Sequence, residues 1–192
     1  MAESKSSIRQ RLLARRQGLA EDLRRDLDRA IGWHLLDFVG ASKPQRLAAY
    51  SSFRGEPDLE TVLADLHRLG HRVHLPVLHD AALRFAEWRP AAATALNVFG
   101  IQEPSGASLV DTDGLDAVFM PLVGFSPDGA RLGMGGGYYD RAFEACLNRP
   151  GDGPRRVGIA YACQQVESLP IEPWDVPLHA VITERGLTTF PT

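Results

Sequence analysis

The sequence has few cysteines and no long apolar run, and both absences exclude classes of protein. Cys146 and Cys163 are its two cysteines, and they form no CxxC pair and have no histidines at zinc-ligand spacing. Neither a disulfide scaffold nor a structural zinc site is therefore indicated. The N-terminus has no apolar signal segment, and no apolar run approaches the roughly 20 residues that span a bilayer. We expect a soluble protein of the reducing cytoplasm.

The chain also lacks an excess of positive charge. Its net charge of −3 at pH 7 gives no reason to expect a nucleic acid or a membrane as partner. Basic residues are nevertheless concentrated before residue 30, within two expected helices over residues 4–18 and 20–39. Lys5 and Arg9 are i,i+4 neighbours in the first helix, so they either converge on one anion or belong to a solvated face. The pattern alone leaves both possibilities open.

Apolar patterns along the chain predict alternating strands and helices. Expected strands cover residues 46–51, 72–78, 83–88, 117–125, 156–162, 180–183 and 186–190, and further helices cover 58–69 and 142–147. Residues 91–108 have no regular pattern and are expected to form a long surface loop, of the kind that carries function in compact domains. The alternation favours a layered α/β fold with a mainly parallel sheet. At 192 residues, we expect one domain spanning 1–192.

Glu56 follows the first expected strand and precedes the third expected helix. Negative side chains near a helix N-terminus are favoured by the helix dipole, so Glu56 can be a capping residue. A carboxylate at the carboxyl end of a parallel strand is also well placed to contact a ligand. Both interpretations fit the spacing.

The most informative stretch is DAVFMPLVGFSPDGARLGMGGGYYDRAF, residues 116–143. Its apolar run over 117–125 predicts a strand buried on both faces. Glycines at 133, 135, 136 and 137 let the backbone approach a ligand closely and adopt positive φ. A strand, a glycine loop and a helix start together point backbone N–H groups and a positive dipole end at an anion. The stretch therefore predicts a phosphate-binding loop.

This loop does not match either of the two common nucleotide-binding motifs. It lacks the Lys-Ser/Thr pair of a P-loop, and Tyr138 stands where the third glycine of GxGxxG would be. A glycine-rich surface loop without a ligand is the alternative. The charged side chains of Arg131, Asp140 and Arg141 around the loop favour an anion site with a cation nearby.

The segment FMPLVGFSPDGARLGMGGGYYDRAF resembles the signature of the 5-formyltetrahydrofolate cyclo-ligase family, also called methenyltetrahydrofolate synthetase. In that signature an apolar strand, Pro-Leu and Phe precede G-x-R-L-G-x-G-x-G-Y-Y-D-R, and every fixed position is present here. Three weaker matches follow the family order and extend the resemblance over residues 5–184: Lys5-x-x-Ile8-Arg9 with Arg16, Tyr50 followed by Gly55-Glu56-Pro57-Asp58, and Glu172-x-Trp174-Asp175-Val176-Pro177-Leu178 followed by Thr183-Glu184. Ile8 replaces the commoner leucine, and residues 72–108 match only loosely, so folate contacts there stay unassigned.

The resemblance implies a three-layer α/β/α sandwich with a mainly parallel, Rossmann-like sheet. It also implies an enzyme that uses ATP and Mg²⁺ to convert 5-formyltetrahydrofolate to 5,10-methenyltetrahydrofolate, releasing ADP and phosphate through a phosphorylated formyl group. The substrate is the small folate, with or without a polyglutamate tail, and we expect a monomer or a weak dimer.

The resemblance further implies roles for individual residues. Lys5, Arg9 and Arg131 would act on the transferred phosphoryl group. The ATP site would consist of these three together with Leu132, Gly133, Met134, Gly135, Gly136, Gly137, Tyr138 and Tyr139. The folate pocket would be lined by Ser51, Glu56 and the stretch Met134, Gly135, Gly136, Gly137 and Tyr138. Mg²⁺ would be held by Asp140 and Asp175, because this hard cation favours one or two carboxylates with phosphate oxygens and waters.

Two other hypotheses fit parts of the sequence. A Rossmann-like phosphosugar isomerase or CoA-transferase relative would share the layered sheet and a glycine loop, and it predicts anion binding without ATP turnover. A folate- or nucleotide-binding module without catalysis would not need Lys5, Arg9 and Asp140. Because both cations and both acidic residues are present, we favour the enzyme.

Overall fold

Helices and strands alternate along most of the chain in the computed structural model, which describes residues 3–40, 43–79, 82–148 and 153–191. The helices are α1 (Lys5–Gln17), α2 (Glu21–Val39), α3 (Glu60–Arg68), α4 (Tyr138–Ala142) and α5 (Ala145–Asn148). The strands are β1 (Arg46–Ala48), β2 (Arg72–His79), β3 (Ala82–Glu87), β4 (Thr94–Leu96), β5 (Gln102–Pro104), β6 (Leu109–Val110), β7 (Ala117–Pro121), β8 (Gly124–Phe125), β9 (Arg131–Leu132), β10 (Arg155–Ile159), β11 (Ala180–Thr183) and β12 (Gly186–Thr189).

One eight-stranded sheet organises these elements, in the order β12-β11-β10-β7-β1-β2-β3-β6. The central strands β2, β1, β7, β10 and β11 run parallel, while β12, β3 and β6 pair antiparallel at the two edges. The chain leaves β1 towards β2, but after β7 it continues on the opposite side through β10 and β11. The strand order therefore reverses between β1 and β7, which is where ligands bind in open α/β sheets.

Strand β7 shows why the sheet has a layer on each face. Its alternate residues enter different cores: Ala117 and Phe119 belong to one, and Val118 and Met120 to the other. The first core is formed with α2 and α3, and the second contains Phe143 beside α4. An apolar run without alternation is what a strand covered on both faces requires. The predicted α/β/α architecture with a mainly parallel sheet is confirmed.

Helix α1 lies outside these two layers and packs on a third apolar cluster. Ile8 and Leu12 contact Val123, Ala130 and Leu132 there. Ser4 caps the helix, because its hydroxyl oxygen accepts a hydrogen bond from the Ser7 N–H at 3.2 Å. The apolar face of α1 thus holds the helix against the chain segments on either side of the β8–β9 turn.

Two predicted elements have different boundaries in the structure. The strand expected over 117–125 is divided, since β7 ends at Pro121 and β8 turns away to pair with β9. The helix expected over 142–147 instead begins at Tyr138, directly after the glycine loop, and breaks before α5. The strand divides because the chain turns at residues 122–123, which carries the glycine loop over the end of the sheet.

The region expected to be a loop without regular structure, residues 91–108, contains the β4–β5 hairpin. Asn97 stabilises its turn, because the Asn97 Oδ1 accepts hydrogen bonds from the N–H groups of Phe99 (2.9 Å) and Ile101 (3.0 Å). Glu103 fastens the hairpin to the sheet by accepting from the Leu78 N–H at 3.0 Å. Because the hairpin is held by side-chain hydrogen bonds, the apolar periodicity of the sequence does not predict it.

The remaining strands and helices are close to their predicted positions. The first strand ends at Ala48 rather than residue 51, and α3 covers residues 60–68 within the expected 58–69. Pro76, expected at a strand end or edge, lies beyond the last β1–β2 pair at His74, where β2 is bonded to β3 alone. Among the described residues, no helix combines the length and apolar character that a membrane crossing requires.

Candidate active site

A cleft of about 1130 Å³ lies over the carboxyl ends of β1 and β7. It is lined by α1, by the loop after β1, by the glycine loop and by the segment around Asp175. The structure brings every residue with a predicted role to this cleft: Lys5, Arg9, Ser51, Glu56, Arg131, Leu132, Gly133, Met134, Gly135, Gly136, Gly137, Tyr138, Tyr139, Asp140 and Asp175. Their individual roles stay predictions.

The glycine loop joins β9 to α4 and is held by two arginines. Gly135 and Gly137 have φ values of 99° and 66°, which side-chain-bearing residues rarely adopt. Arg9 Nε donates to the Gly133 carbonyl at 2.8 Å, and Arg141 Nη1 donates to the Gly136 carbonyl at 2.9 Å. Within the described part of the chain, no group accepts a hydrogen bond from the backbone N–H groups of residues 134–140. The loop therefore presents free donors, as a phosphate site requires.

Lys5 and Arg9 face this cleft rather than solvent. Lys5 Nζ lies 2.5 Å from Asp175 Oδ2, and the side chains are 27% and 20% exposed. Arg9 reaches the glycine loop through Gly133. Of the two possibilities that the sequence left open, the structure supports convergence on one site.

Arg131 is the most deeply buried cation among these predicted phosphate-binding residues. Its side chain is 5% exposed, and Nη2 lies 2.5 Å from Asp140 Oδ1. Burial lowers the pKa of Arg131, while the negative charges of Asp140 and Asp175 oppose that shift. A guanidinium with so high an ordinary pKa stays charged at neutral pH, so the site keeps a fixed positive charge beneath the loop.

Asp140 and Asp175, which the resemblance assigns to Mg²⁺, each pair with a cation of the cleft. Asp140 Oδ1 accepts from Arg131 and from the Val176 N–H at 3.2 Å, and Asp175 Oδ2 accepts from Lys5 and from the Glu172 N–H at 2.8 Å. The second oxygen of each carboxylate has no partner among the described residues. That part of the chain has no group of three or more acidic, histidine or cysteine residues arranged to hold a metal alone. Two carboxylates match a cation that takes its other ligands from phosphates and water.

Glu56 also lines the cleft, in a sharply turned loop after β1. Arg54 and Gly55 before it both have positive φ, at 49° and 76°. Glu56 Oε2 accepts from the Phe53 N–H at 3.1 Å, and Oε1 lies 3.8 Å from Arg16 Nη1. Burial raises the pKa of Glu56 to about 7, against the opposing effect of Arg16. Asp58, not Glu56, accepts from the Glu60 N–H at the start of α3, so the capping interpretation of Glu56 is wrong.

The two adjacent tyrosines have different environments. Tyr138 lies edge-on to Phe99 with ring centroids 6.1 Å apart, and the Arg141 guanidinium lies 5.0 Å from its ring centroid. Tyr139 stacks on Phe143 at a 12° interplanar angle, and its buried hydroxyl has no hydrogen-bond partner among the described residues. Burial raises the pKa of Tyr139 far above its usual value. The Tyr138 ring thus lies at the cleft beside Phe99, whereas Tyr139, which also lines the cleft, packs its ring against the core.

Sequence reasoning missed the contribution of the β4–β5 hairpin to the cleft. Asn97, Val98, Phe99, Ile101 and Glu103 all line it, and the Ser51 hydroxyl donates to the Gln102 carbonyl at 2.9 Å. Val98 and Phe99 are 88% and 49% exposed at the cleft mouth, facing outward as a ligand-contacting rim would. The sequence signal that could have predicted the hairpin is the turn from Asn97 to Gly100 within an apolar segment, which we interpreted as an irregular loop.

The fold and the cleft define a class: α/β proteins with a ligand-binding cleft at the carboxyl edge of a mainly parallel sheet. Within that class, the model of the 5-formyltetrahydrofolate cyclo-ligase family matches residues 1–184, and the chain belongs to this family of ligases in folate one-carbon metabolism. The resemblance seen in the glycine-tyrosine signature is therefore confirmed.

Individual relatives match over nearly their whole length. The 5-formyltetrahydrofolate cyclo-ligase of Haemophilus influenzae is 35% identical over 188 residues, covering 94% of this chain and 97% of the relative. That of Escherichia coli K12 is also 35% identical, over 174 residues that cover 88% of this chain and 94% of the relative.

Solved structures of similar proteins have the same architecture. The NMR structure of Aquifex aeolicus 5,10-methenyltetrahydrofolate synthetase superposes with a TM-score of 0.84 at 30% identity, covering 98% of this chain and 93% of that one. The Mycoplasma pneumoniae 5,10-methenyltetrahydrofolate synthetase gives a TM-score of 0.76 at 25% identity, covering 95% and 99%.

Proposed function

We propose that this protein converts 5-formyltetrahydrofolate into 5,10-methenyltetrahydrofolate while ATP is consumed to ADP and phosphate. The observation that carries the proposal is the division of one cleft into two halves. One half has cations and a glycine loop with free N–H donors, and the other has Glu56 and the exposed rim of Val98 and Phe99. Such a cleft suits a phosphate donor and a planar heteroaromatic substrate held side by side.

The reaction needs an activated oxygen, because the oxygen of an amide-like formyl group is a poor leaving group. The formyl oxygen attacks the γ-phosphorus of ATP, and the bond from that phosphorus to ADP breaks. N10 of the folate then bonds to the formyl carbon and loses its proton, and the carbon–oxygen bond breaks as phosphate departs with the electron pair. Phosphoryl transfer of this kind requires charge neutralisation and alignment more than a protein nucleophile.

The phosphate half of the cleft has the groups that this step requires. Lys5, Arg9 and Arg131 can form charge-assisted hydrogen bonds to phosphate oxygens, together with the free N–H groups of the glycine loop. Lys5 and Arg131 are paired with Asp175 and Asp140 in the free protein. When phosphate oxygens replace the two carboxylates as partners of Lys5 and Arg131, Asp140 and Asp175 become free and would then hold Mg²⁺. The ion supplies positive charge to the phosphates when it is bound.

The folate half has an acceptor and aromatic surfaces. An ionised Glu56 is a pure hydrogen-bond acceptor and suits the N–H donors of a reduced pterin. Ser51 lies beside it, and Tyr138 with Phe99 can pack on the ring systems of the folate. All of these residues belong to one chain, and a monomer or weak dimer is the assembly that we propose to be active.

The test is the absorbance of the methenyl-folate band when the protein is mixed with 5-formyltetrahydrofolate and Mg²⁺, with and without ATP. We expect a rise that requires ATP. Arg9→Ala should lower kcat/KM for ATP by about 100-fold. Arg11→Ala is the matched control, because Arg11 lies on the same helix but pairs with Glu3 away from the cleft. If the absorbance does not rise with the wild-type protein while folate binding is still measurable, the protein is a folate-binding module and not an enzyme.

A further inference from the structure

Helix α1 carries two cations that line the cleft, Lys5 and Arg9, and a third, Arg16, that is buried behind it. Lys5, Arg9 and Arg16 fall on one helical face, since their spacings of four and seven residues return to the same side of an α-helix. Lys5 and Arg9 reach the phosphate half, at Asp175 and Gly133. Arg16 lies one turn beyond Leu12 and is completely buried, and none of the roles proposed above involves it.

The guanidinium of Arg16 joins α1 to two other parts of the chain. Nη1 donates to the Leu122 carbonyl, just after β7, at 3.1 Å, and Nη2 donates to the Arg54 carbonyl at 3.0 Å. Nη1 also lies 3.8 Å from Glu56 Oε1. A buried charge is tolerated only when it is paired and hydrogen-bonded. The two Nη atoms of Arg16 obtain such partners from the strand ends on each side of the switch point, while its buried Nε has no partner among the described residues.

The carbonyl that Arg16 binds belongs to the strained part of the Glu56 loop. Arg54 has φ of 49°, a conformation that a residue with a side chain adopts only where its surroundings hold it. We infer that Arg16 is a positioning residue for the folate half of the cleft: it holds Arg54 in this turn and thereby aims the Glu56 carboxylate at the substrate. The inference rests on the proposed function, because it assigns Glu56 to folate.

Arg16 also favours the ionised form of the group that it positions. The charged and titratable groups around Glu56 are Arg16 from α1, Tyr50 from the end of β1 and Tyr139 from α4, with Arg24 of α2 near Arg16. Both tyrosines are neutral at pH 7, because burial raises their pKa values. Arg16 is the cation that lowers the Glu56 pKa. Loss of its charge therefore raises the pH at which Glu56 ionises.

The experiment compares Arg16→Gln and Arg16→Lys with Arg15→Gln, an exposed arginine on the same helix. For Arg16→Gln we expect KM for 5-formyltetrahydrofolate to rise about 10-fold, with KM for ATP within about twofold of wild type. In the pH profile of kcat/KM for folate, the acid limb should move up by about one pH unit. Arg16→Lys should keep the limb near its wild-type position but leave KM raised, because an ammonium cannot fork to both carbonyls. Arg15→Gln should match wild type.

Equal increases in both KM values with an unmoved acid limb would overturn the inference and leave Arg16 a purely structural residue. If Arg16→Gln does not fold, a double-mutant cycle of Arg16→Lys with Glu56→Gln decides: additive effects on folate KM would overturn the inference, and strong coupling supports it. If the wild-type protein shows no ATP-dependent turnover, the proposed function is wrong, and the failure does not concern Arg16. Folate binding measured by fluorescence titration across the same pH range then still tests whether Arg16 acts through Glu56.

Discussion

Glu56 and Asp140 are carboxylates of one cleft in opposite electrostatic surroundings. Glu56 is largely buried, and a cation 3.8 Å away only partly offsets its burial. Asp140 lies 2.5 Å from the buried guanidinium of Arg131. The folded protein therefore disfavours the charge of Glu56, whereas Asp140 is the ion-pair partner of a buried arginine. Neutralising each residue should have a different effect on stability.

Glu56→Gln should stabilise the fold at alkaline pH while it weakens folate binding. The native pKa of about 7 lies above the ordinary value of 4.5, so the native state binds more protons than the unfolded chain between these values. The contribution of Glu56 is complete below pH 4.5 and is lost as pH rises through 7. At pH 8 the variant should gain about 2–3 kcal/mol in unfolding free energy, and near pH 4.5 nothing. Urea unfolding at both pH values measures this, and an equal change at both would refute it.

Asp140→Asn should lower both turnover and stability. The change removes the partner of a buried arginine, which costs about 2–4 kcal/mol, while asparagine still offers an oxygen to the Val176 N–H. We expect turnover to fall about 100-fold, with a higher Mg²⁺ requirement in the residual activity. Asp111→Asn is the control, because Asp111 is exposed and pairs with Arg84. A variant with normal turnover at low Mg²⁺ would exclude Asp140 from the metal role.

At the scale of elements, the docking of α1 decides where the cations lie. Leu12 is fully buried and lies against Gly124 of β8, and a Cβ on Gly124 would overlap Leu12 Cδ1. Glycine is required here for close approach between helix and strand, not for an unusual φ. Because Lys5, Arg9 and Arg16 belong to the same rigid helix, a displacement at Leu12 is transmitted to both halves of the cleft.

Gly124→Ala should therefore cost about 1–3 kcal/mol in stability through overpacking and raise KM for ATP. Gly32→Ala is the matched control, since a Cβ on Gly32 of α2 would meet Val62 at an ordinary 3.6 Å. That control should gain up to about 1 kcal/mol from better helix propensity. Thermal unfolding and ATP titrations separate the two variants. Unchanged ATP kinetics in a destabilised Gly124→Ala protein would show that α1 does not shift.

Elements with strong periodicity were predictable, and those held by side-chain contacts were not. Helix α2 was expected over 20–39 and covers 21–39, because its apolar spacing is regular. The β4–β5 hairpin depends on Asn97 and Glu103, whose partners are fixed only in the folded chain. The signature predicted which residues line the cleft, but neither the role of the hairpin nor the buried position of Arg16 follows from a local pattern.

At the scale of the whole molecule, stability should decrease from the sheet centre towards the cleft mouth. The first four residues of β7 are buried between layers, whereas all of β4 is exposed. Hydrogen exchange should therefore be slowest in β7 and β10 and fastest in the β4–β5 hairpin. Mass spectrometry of peptic fragments measures this order. Slow exchange in the free hairpin would contradict it, and protection there on adding folate would agree with a ligand-contacting rim.

The contact between Lys5 and Asp175 joins residues that are 170 positions apart. A chain emerging from the ribosome presents α1 first, long before the strands that supply its partners exist. The cations of α1 then have neither the glycine loop nor Asp175 to bind, and Arg16 has no strand ends to join. A nascent chain that stops short of residue 175 therefore has an incomplete set of charges at the proposed phosphate site.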